Sequence, residues 1–323
     1  KAKGVGGAVF VYDASAEFDE CSLENNNATK EGGAIHVYKQ SEVIVNGGEI
    51  ANNEGKSGGG IYNQEGSIKL SSVALKKNTV KEIGAAIYTA NTATIKACKF
   101  VSNETVKEGG AIYNTKILNI ENSCQFIENQ SEGSSGAIYN AGTMTLKGTN
   151  MFDSNKAERV GGAITNHNTV TIDGSCEFTS NTSRAGGAIY TNKGTITVND
   201  KISFKENEAI AGGDHGGAIF NDGTSVMKLL GESTFDSNRS DNYGGAICNT
   251  STLEIAGSCE FVSNESTKQG GAIYTTKAIT MQGCKYVSNA ATNEGGAIFI
   301  TSTGVVEVKD NCEFNENKST AKN

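Results

Sequence analysis

The pattern of apolar and polar positions along the chain has the period of β-strands. In the segment that starts at Gly84, apolar side chains at Ala93, Ile95, Cys98 and Phe100 alternate with polar ones. Alternation with a period of two predicts strands. The phase slips by one residue between Ile95 and Cys98, which predicts a bend between two short strands. A third short strand is predicted in the Ala-Ile-Tyr stretch that follows the glycines.

Two short sequence words recur throughout the chain. The first is Gly-Gly-Ala-Ile followed by an aromatic residue, and its strict and looser copies begin at Gly6, Gly32, Gly58, Gly84, Gly109, Ser135, Gly161, Gly186, Gly216, Gly244, Gly270 and Gly295. The second is Phe-x-x-Asn, whose asparagines are Asn103, Asn129, Asn155, Asn181, Asn207, Asn238, Asn264, Asn289 and Asn317, with weaker early forms ending at Asn26, Asn53 and Asn78. Copies of the first word follow each other at steps of 25 to 30 residues. Such a regular period predicts one continuous array rather than several separate cores.

Three short strands in each repeat predict an all-β fold, a right-handed parallel β-helix of about twelve turns of about 26 residues. Backbone groups would pair between turns about 4.8 Å apart, and the crossover rule predicts the right hand. Helical solenoids share this period, but the chain has no 3.6-residue stripe, and each glycine of the pair would cost a helix about 1 kcal/mol. We interpret residues 1–323 as a single β-helix repeat domain, either a segment of a longer array or one protomer of a fibre.

Each repeated word has a predicted structural role. Stacked sharp corners favour residues that lack a Cβ, which explains the glycine pair. The asparagine of the second word is expected to stack on its copies in an internal amide ladder at the opposite corner. The chain contains no proline, as expected where nearly every backbone N–H joins a hydrogen-bonded ladder.

Composition excludes several classes of partner. The net charge is -8 with only three arginines, so neither nucleic acid nor an anionic membrane is expected to bind. No apolar run approaches the 18 or so residues that a membrane-spanning helix needs, and no membrane insertion is expected in this segment.

The two words alternate along essentially the whole chain, and together they resemble the repeats of the chlamydial polymorphic membrane proteins. The resemblance implies a right-handed β-helix on a cell surface or outside the cell. It also implies a role in adhesion or as a structural stalk.

Clustered carboxylates that could support polysaccharide cleavage are not evident in the sequence. Such chemistry needs acidic groups that converge on one groove, and the acids here are scattered over loop positions. The best cluster is Asp214-His215 together with Asp222, which we interpret as a loop with a polar tip. We therefore predict no enzymatic activity, no cofactor and no metal site.

Seven of the eight cysteines occupy one position of the repeat, two residues before the aromatic: Cys21, Cys98, Cys124, Cys176, Cys259, Cys284 and Cys312. Alternation places this position on the inner face. Two interpretations stay open. The cysteines are either small core hydrophobes or form disulfides between adjacent turns, as Cys98–Cys124 and one pair among Cys259, Cys284 and Cys312, since the turn spacing suits a disulfide.

An outward column of rings is the predicted binding face. If the isoleucine of the first word points inward, the next residue points outward and the following Asn or Thr points inward again. The predicted binding residues of this column are Tyr62, Tyr88, Tyr113, Tyr139, Tyr190, Phe220, Tyr274 and Phe299, and Cys248 replaces a ring in the same column. An exposed apolar stripe would be a contact surface. The alternative is the opposite phase, with the rings in the core.

The main functional hypothesis is a non-enzymatic extracellular or cell-surface β-helix with a structural or adhesive role. Uncapped solenoid ends expose edge strands that can pair with another copy, so assembly into fibres is included in this hypothesis. Expected partners are further copies of the chain, other surface or matrix proteins, or a host receptor or glycan. The alternative is an adhesin that binds a glycan or receptor through the aromatic column, and a polysaccharide-active enzyme is the third hypothesis.

Overall fold

A computed structural model of the chain describes residues 4–210, 215–301 and 304–320. The regular structure of these residues consists of strands, all paired in parallel, in two compact units, Lys1–Glu158 and Arg159–Asn323. The predicted all-β class and the parallel β-solenoid of about twelve turns are confirmed. Among the described residues, no helix is long and apolar enough to span a membrane.

Each turn contributes one strand to a sheet that directly follows the glycine pair, here called the glycine sheet. In the first unit its strands are Val9–Tyr12, Ile35–Tyr38, Ile61–Asn63, Ile87–Thr89, Ile112–Asn114 and Ile138–Asn140. In the second unit they are Ile164–Asn166, Ile189–Thr191, Ile219–Asn221, Ile247–Asn249, Ile273–Thr275 and Ile298–Ile300.

The next sheet along each turn, the central sheet, takes two strands from most turns. Its strands in the first unit are Ser15–Asp19, Ser22–Glu24, Glu42–Asn46, Glu49–Ala51, Ser67–Ser71, Ala74–Lys76, Thr92–Lys96, Lys99–Val101, Ile117–Glu121, Gln125–Ile127 and the long strand Thr143–Asp153. In the second unit they are Thr169–Thr179, Thr195–Val198, Ile202–Lys205, Val226–Leu229, Ser233–Asp236, Thr252–Ile255, Cys259–Val262, Ile279–Gln282, Cys284–Val287, Val306–Lys309 and Glu313–Asn315. The predicted bend falls at Ala97, which adopts a φ of 50° between two of these strands.

A third sheet of two-residue strands follows the asparagine of each turn and is called the asparagine sheet. Its strands are Glu54–Gly55, Thr79–Val80, Glu104–Thr105, Gln130–Ser131 and Lys156–Ala157 in the first unit. In the second unit they are Thr182–Ser183, Glu208–Ala209, Arg239–Ser240, Glu265–Ser266, Ala290–Ala291 and Lys318–Ser319.

Equivalent residues of successive turns lie directly opposite one another. Ile87 pairs with Ile112 in the glycine sheet, and Phe100 pairs with Phe126 in the central sheet. Like side chains therefore stack inside each unit. The rings of Phe100 and Phe126 are fully buried, nearly parallel and 4.7 Å apart between centroids. Parallel sheets need apolar cover on the faces they bury, and here the stacked interior provides it.

The two glycines of each pair are needed for different reasons. Gly109 has a φ of 70°, a conformation that L residues with a side chain rarely adopt. Gly110 has no such φ, but a Cβ built on it would lie 1.9 Å from the carbonyl oxygen of Gly136 in the next turn. The first glycine therefore makes the corner, and the second allows two turns to approach closely.

The predicted amide ladder is present in both units. In the first unit the Nδ2 of Asn78 donates to the Oδ1 of Asn103 at 3.0 Å, and the Nδ2 of Asn103 donates to the Oδ1 of Asn129 at 2.9 Å. In the second unit Asn181 donates to Asn207 in the same way at 2.9 Å. Because a Phe-x-x-Asn asparagine such as Asn103 is fully buried in the ladder, its side chain is part of the core.

Candidate binding face

The alternation of burial in the glycine sheet places the aromatic column on the outward face. Ile112 and Asn114 are completely buried, whereas Tyr113 between them is partly exposed. The strands Ile61–Asn63, Ile87–Thr89 and Ile138–Asn140 show the same pattern. The isoleucines and the amides or hydroxyls therefore face the core, and the rings face away from it.

The tyrosines of the first unit stack on one another. The ring centroids of Tyr62 and Tyr88 are 4.5 Å apart at an interplanar angle of 9°. Tyr88 and Tyr113 are 5.8 Å apart at 16°, and Tyr113 and Tyr139 are 4.7 Å apart at 5°. Four predicted binding residues thus form one stack, which we call the tyrosine column.

This geometry decides which part of each ring a partner can reach. A ring held nearly parallel between two neighbours at these distances has both faces covered, as for Tyr88 and Tyr113. Ring edges and hydroxyl groups are left to face outward. The tyrosine column therefore offers hydrogen bonds and apolar edges rather than open π-faces on which a sugar or a base could stack.

Carboxylates accompany the tyrosine column. Burial is the main cause that raises the pKa of Tyr113 to about 12, and the charges of the neighbouring Tyr139 phenol and of Glu108 add to it. Burial also raises the pKa of Tyr62, with contributions from Tyr88 and Glu31. The phenols therefore stay protonated at neutral pH, and each keeps a hydrogen to donate.

At one end of the tyrosine column the stack continues into a histidine. His36 packs against Tyr62 with 5.0 Å between ring centroids and against Phe10 with 5.3 Å. Only 4% of His36 is exposed, and this burial lowers its pKa. At neutral pH the imidazole is accordingly uncharged and behaves as another ring of the stack.

In the second unit the predicted binding residues do not form a single stack. Tyr190 and Phe220 meet at a tilt of 52°, with ring centroids 5.5 Å apart, and Tyr274 stacks on Phe299 at 5.6 Å. Between these pairs the column position is held by Cys248, which is fully buried.

The position of Cys248 is covered by Tyr243, which the sequence words do not include, and by His215, for which the sequence predicted a polar loop tip rather than a place among rings. Tyr243 stacks on Tyr274 at 4.6 Å, and His215 stacks on Tyr243 at 5.3 Å while contacting Phe220 at 5.0 Å. His215 and Tyr243 pair with each other as the residues directly before their glycine pairs. An aromatic residue directly before a glycine pair is the sequence feature that could have identified them, since a ring at that position can reach the outward column.

The residues proposed for a catalytic cluster have structural contacts instead. The carboxylate of Asp222 accepts hydrogen bonds from the Thr250 hydroxyl at 2.7 Å and from the Tyr190 hydroxyl at 3.4 Å. His215 packs among rings as described above, and Asp214 lies outside the described residues. Within the described ranges, no group of three or more His, Cys, Asp or Glu side chains is placed to hold a metal ion.

The cysteine column contains both free thiols and a disulfide. Cys259 and Cys284 are joined by a disulfide between adjacent turns of the second unit. Cys98 and Cys124 of the first unit are buried free thiols, and the backbone N–H of Cys98 donates to the Cys124 sulfur at 3.4 Å. Burial raises the pKa of Cys98 to about 12. Cys312 is a partly exposed free thiol.

Comparison with protein families finds one repeat family in the chain. The model of the Chlamydia polymorphic membrane protein repeat matches residues 20–38, 175–192, 232–250 and 258–276. Each matched stretch runs from the cysteine column through the ladder asparagine to the glycine sheet. No curated protein and no solved structure matches the chain. The chain thus carries polymorphic membrane protein repeats at four places, as the two sequence words predicted.

Proposed function

We propose that the chain is a non-enzymatic structural and adhesive β-solenoid of a cell surface. The observation that carries this proposal is the match to a membrane-protein repeat family, with matched segments in both units. The fold supports it physically. Inward columns such as the amide ladder and the phenylalanine stack provide the cohesion of each unit, so outward side chains are free to serve contact with other molecules.

Surface presentation is tested first. Antibodies raised against the folded chain should label intact cells of the source organism as strongly as permeabilised cells. Labelling that appears only after permeabilisation would refute the surface location. Beads coated with the purified chain then test adhesion, with beads coated with the heat-unfolded chain as control. Equal attachment of both kinds of bead to host cells would refute the adhesive part of the proposal.

A second candidate function is recognition of a glycan or receptor through the tyrosine column. The specific observation in its favour is the row of partly exposed phenols at Tyr88, Tyr113 and Tyr139. Each phenol can exchange hydrogen bonds with a polar partner, and a typical hydrogen bond contributes about 1 kcal/mol. Three lost together would weaken binding about 100-fold.

The matched variant replaces Tyr88, Tyr113 and Tyr139 by Phe. It removes three hydroxyls and keeps the rings, which suits the fold because Phe220 occupies the same column in the second unit. The control variant replaces Thr92 and Thr94 of the central sheet by Val, which removes hydroxyls from another outward face. Binding that falls in the first variant and not in the second supports the tyrosine column, and equal binding by both removes it. Periodate treatment of the target cells separates a glycan partner from a protein receptor.

A further inference from the structure

Three cysteines lie one above another in consecutive turns of the second unit. Cys259 pairs in register with Cys284, and their Cα atoms are 4.6 Å apart across the disulfide. Cys312 directly precedes Glu313, whose partner is Lys285, so Cys312 lies opposite Cys284 on its other side. The backbone N–H of Cys284 donates to the Cys312 sulfur at 3.2 Å. The middle cysteine is therefore placed between two possible disulfide partners.

The stacking of the turns also gives the direction that an exchange reaction needs. A thiolate attacks one sulfur of a disulfide and displaces the other, so three sulfurs take part in the step. Such an attack proceeds along the line of the breaking bond. Here the bond runs from Cys259 to Cys284 along the stacking direction, and Cys312 follows in the next turn of the same column. The three sulfurs thus have the order that the displacement requires.

Cys312, at one end of this column, is open to solvent, and Cys259, at the other end, is 4% exposed. Cys312 is partly exposed, and its thiol donates to the carbonyl oxygen of Lys309 at 3.2 Å. At the other end, a surface groove of about 180 Å³ borders Cys259, with Glu260 and Lys285 also in its lining. A space of this size holds several water molecules. A proton can therefore leave Cys312 without crossing the core, and the residue that takes one up, Cys259, borders the groove.

We propose that Cys312 is an alternative partner of Cys284 and that the disulfide exchanges between the two pairs. The Cys312 thiolate forms a bond to the Cys284 sulfur, the bond from Cys284 to Cys259 breaks, and Cys259 leaves as a thiolate that takes up a proton. One disulfide and one thiol are present before and after the step, so no oxidant or reductant is consumed. The covalent link between turns thereby moves by one turn.

The first unit provides a contrast within the same fold. Cys98 and Cys124 are stacked in the same way, but the next position of the column is Asn150, whose Oδ1 accepts the backbone N–H of Cys124 at 3.1 Å. That column has no third sulfur at this place. Exchange of the proposed kind is therefore confined to the cysteines of the second unit.

The exchange is measured by mapping disulfides in the full chain. The purified protein is held without reductant at about pH 8.5, where an ordinary thiol is half ionised, and free thiols are then blocked with N-ethylmaleimide after acidification. Trypsin places the three cysteines on separate peptides, 240–268, 278–285 and 310–318, and fragmentation distinguishes Cys259 from Cys248 in the first. We expect both linkages, in amounts within about tenfold of each other, because the two pairs share the same register. Finding only the linkage from Cys259 to Cys284 after prolonged incubation would overturn the proposal.

Single substitutions give an independent readout. Serine suits the column because Ser233 occupies it next to Cys259, so Cys259→Ser and Cys312→Ser are expected to fold. Under the same mild oxidation by glutathione disulfide, Cys259→Ser should close the link between Cys284 and Cys312, and Cys312→Ser should close the link between Cys259 and Cys284. Cys98→Ser, in the other unit, should leave both linkages of the second unit unchanged. A Cys259→Ser protein that folds but stays reduced, while Cys312→Ser closes, would refute the exchange.

Discussion

Replacing Asn103 by alanine tests whether the amide ladder holds the turns of the first unit together. In the native ladder the Oδ1 of Asn103 accepts two hydrogen bonds from Asn78, one from the backbone N–H and one from Nδ2, both at 3.0 Å. The Nδ2 of Asn103 donates to the carbonyl oxygen of Leu75 at 3.0 Å and to the Oδ1 of Asn129 at 2.9 Å. Alanine removes all four.

The loss of stability follows from the groups left without a partner. Asn129 keeps one donor, because the backbone N–H of residue 103 still reaches its Oδ1 at 3.1 Å. The backbone N–H and one Nδ2 hydrogen of Asn78 lose their acceptor, whereas the carbonyl oxygen of Leu75 stays within the ladder of the central sheet, where Lys76 pairs with Val101. Two buried donors at about 1 to 2 kcal/mol each give a loss of roughly 2 to 4 kcal/mol in the free energy of unfolding.

Hydrogen exchange with mass spectrometry is the appropriate assay, because stacked repeats can unfold in parts and a single midpoint then under-reports a local loss. The amide of Asn78 should exchange at least about 30-fold faster in Asn103→Ala, since 1.4 kcal/mol corresponds to a factor of ten. Asn119→Ala is the matched control, because Asn119 lies on the outward face of a neighbouring strand and a surface change there costs about 0.5 kcal/mol or less. Equal protection of Asn78 in both variants would refute the role assigned to the ladder.

Three further predictions concern the corner and the rings. Gly110→Ala places a Cβ 1.9 Å from the carbonyl oxygen of Gly136 and should lower the free energy of unfolding in urea by more than about 2 kcal/mol. Gly4→Ala, with open space around it, should change this free energy little. Similar losses in both variants would contradict the packing argument. Burial raises the pKa of Tyr113 to about 12, so the stability that the protonated phenol contributes is complete below about pH 10 and is lost as the pH rises from there towards 12. Tyr113→Phe should therefore reduce the fall in melting temperature over this alkaline range. A fall equal to that of the native chain would contradict the prediction. Burial lowers the pKa of His36, so the stability that the neutral imidazole contributes is complete above about pH 6.5 and falls as the pH drops through and below that value. His36→Phe should therefore reduce the difference in melting temperature between about pH 7 and pH 5. An unaltered difference would count against a neutral buried imidazole.

The turns and their inward columns could be predicted from the sequence because each column repeats one residue type at one position. Alternation alone leaves the phase of Ile112, Tyr113 and Asn114 open, since the opposite phase would place polar Asn114 outside and the ring of Tyr113 inside at every turn; the burial of Ile112 and Asn114 decides it. The ladder of Asn103 could be predicted because an asparagine recurs at that position of the repeat. A local rule becomes reliable when each turn must satisfy it against an identical neighbour.

The missed features lack that repetition. Tyr243 and His215 cover Cys248 from the position before the glycine pair, where other turns have residues as different as Glu108 and Ala185. The two rings fill the space beside Cys248, where the adjacent column lacks a ring, and this contact between residues of different strands is not visible in the repeat pattern. The choice of disulfide partner is equally hidden, because Cys259, Cys284 and Cys312 share one register and alternation cannot distinguish two neighbours of Cys284.

The freedom of the outward column also indicates where function should be sought. The inward isoleucine recurs in every strand of the glycine sheet after the first, whereas the next position admits Thr165, Phe220 and Cys248. The fold therefore does not require a phenol at this place. Four consecutive turns of the first unit nevertheless have one, from Tyr62 to Tyr139. Because phenylalanine would stack equally well, packing does not explain why these rings have hydroxyls. Replacing the hydroxyls alone therefore tests binding by the column without disturbing the fold.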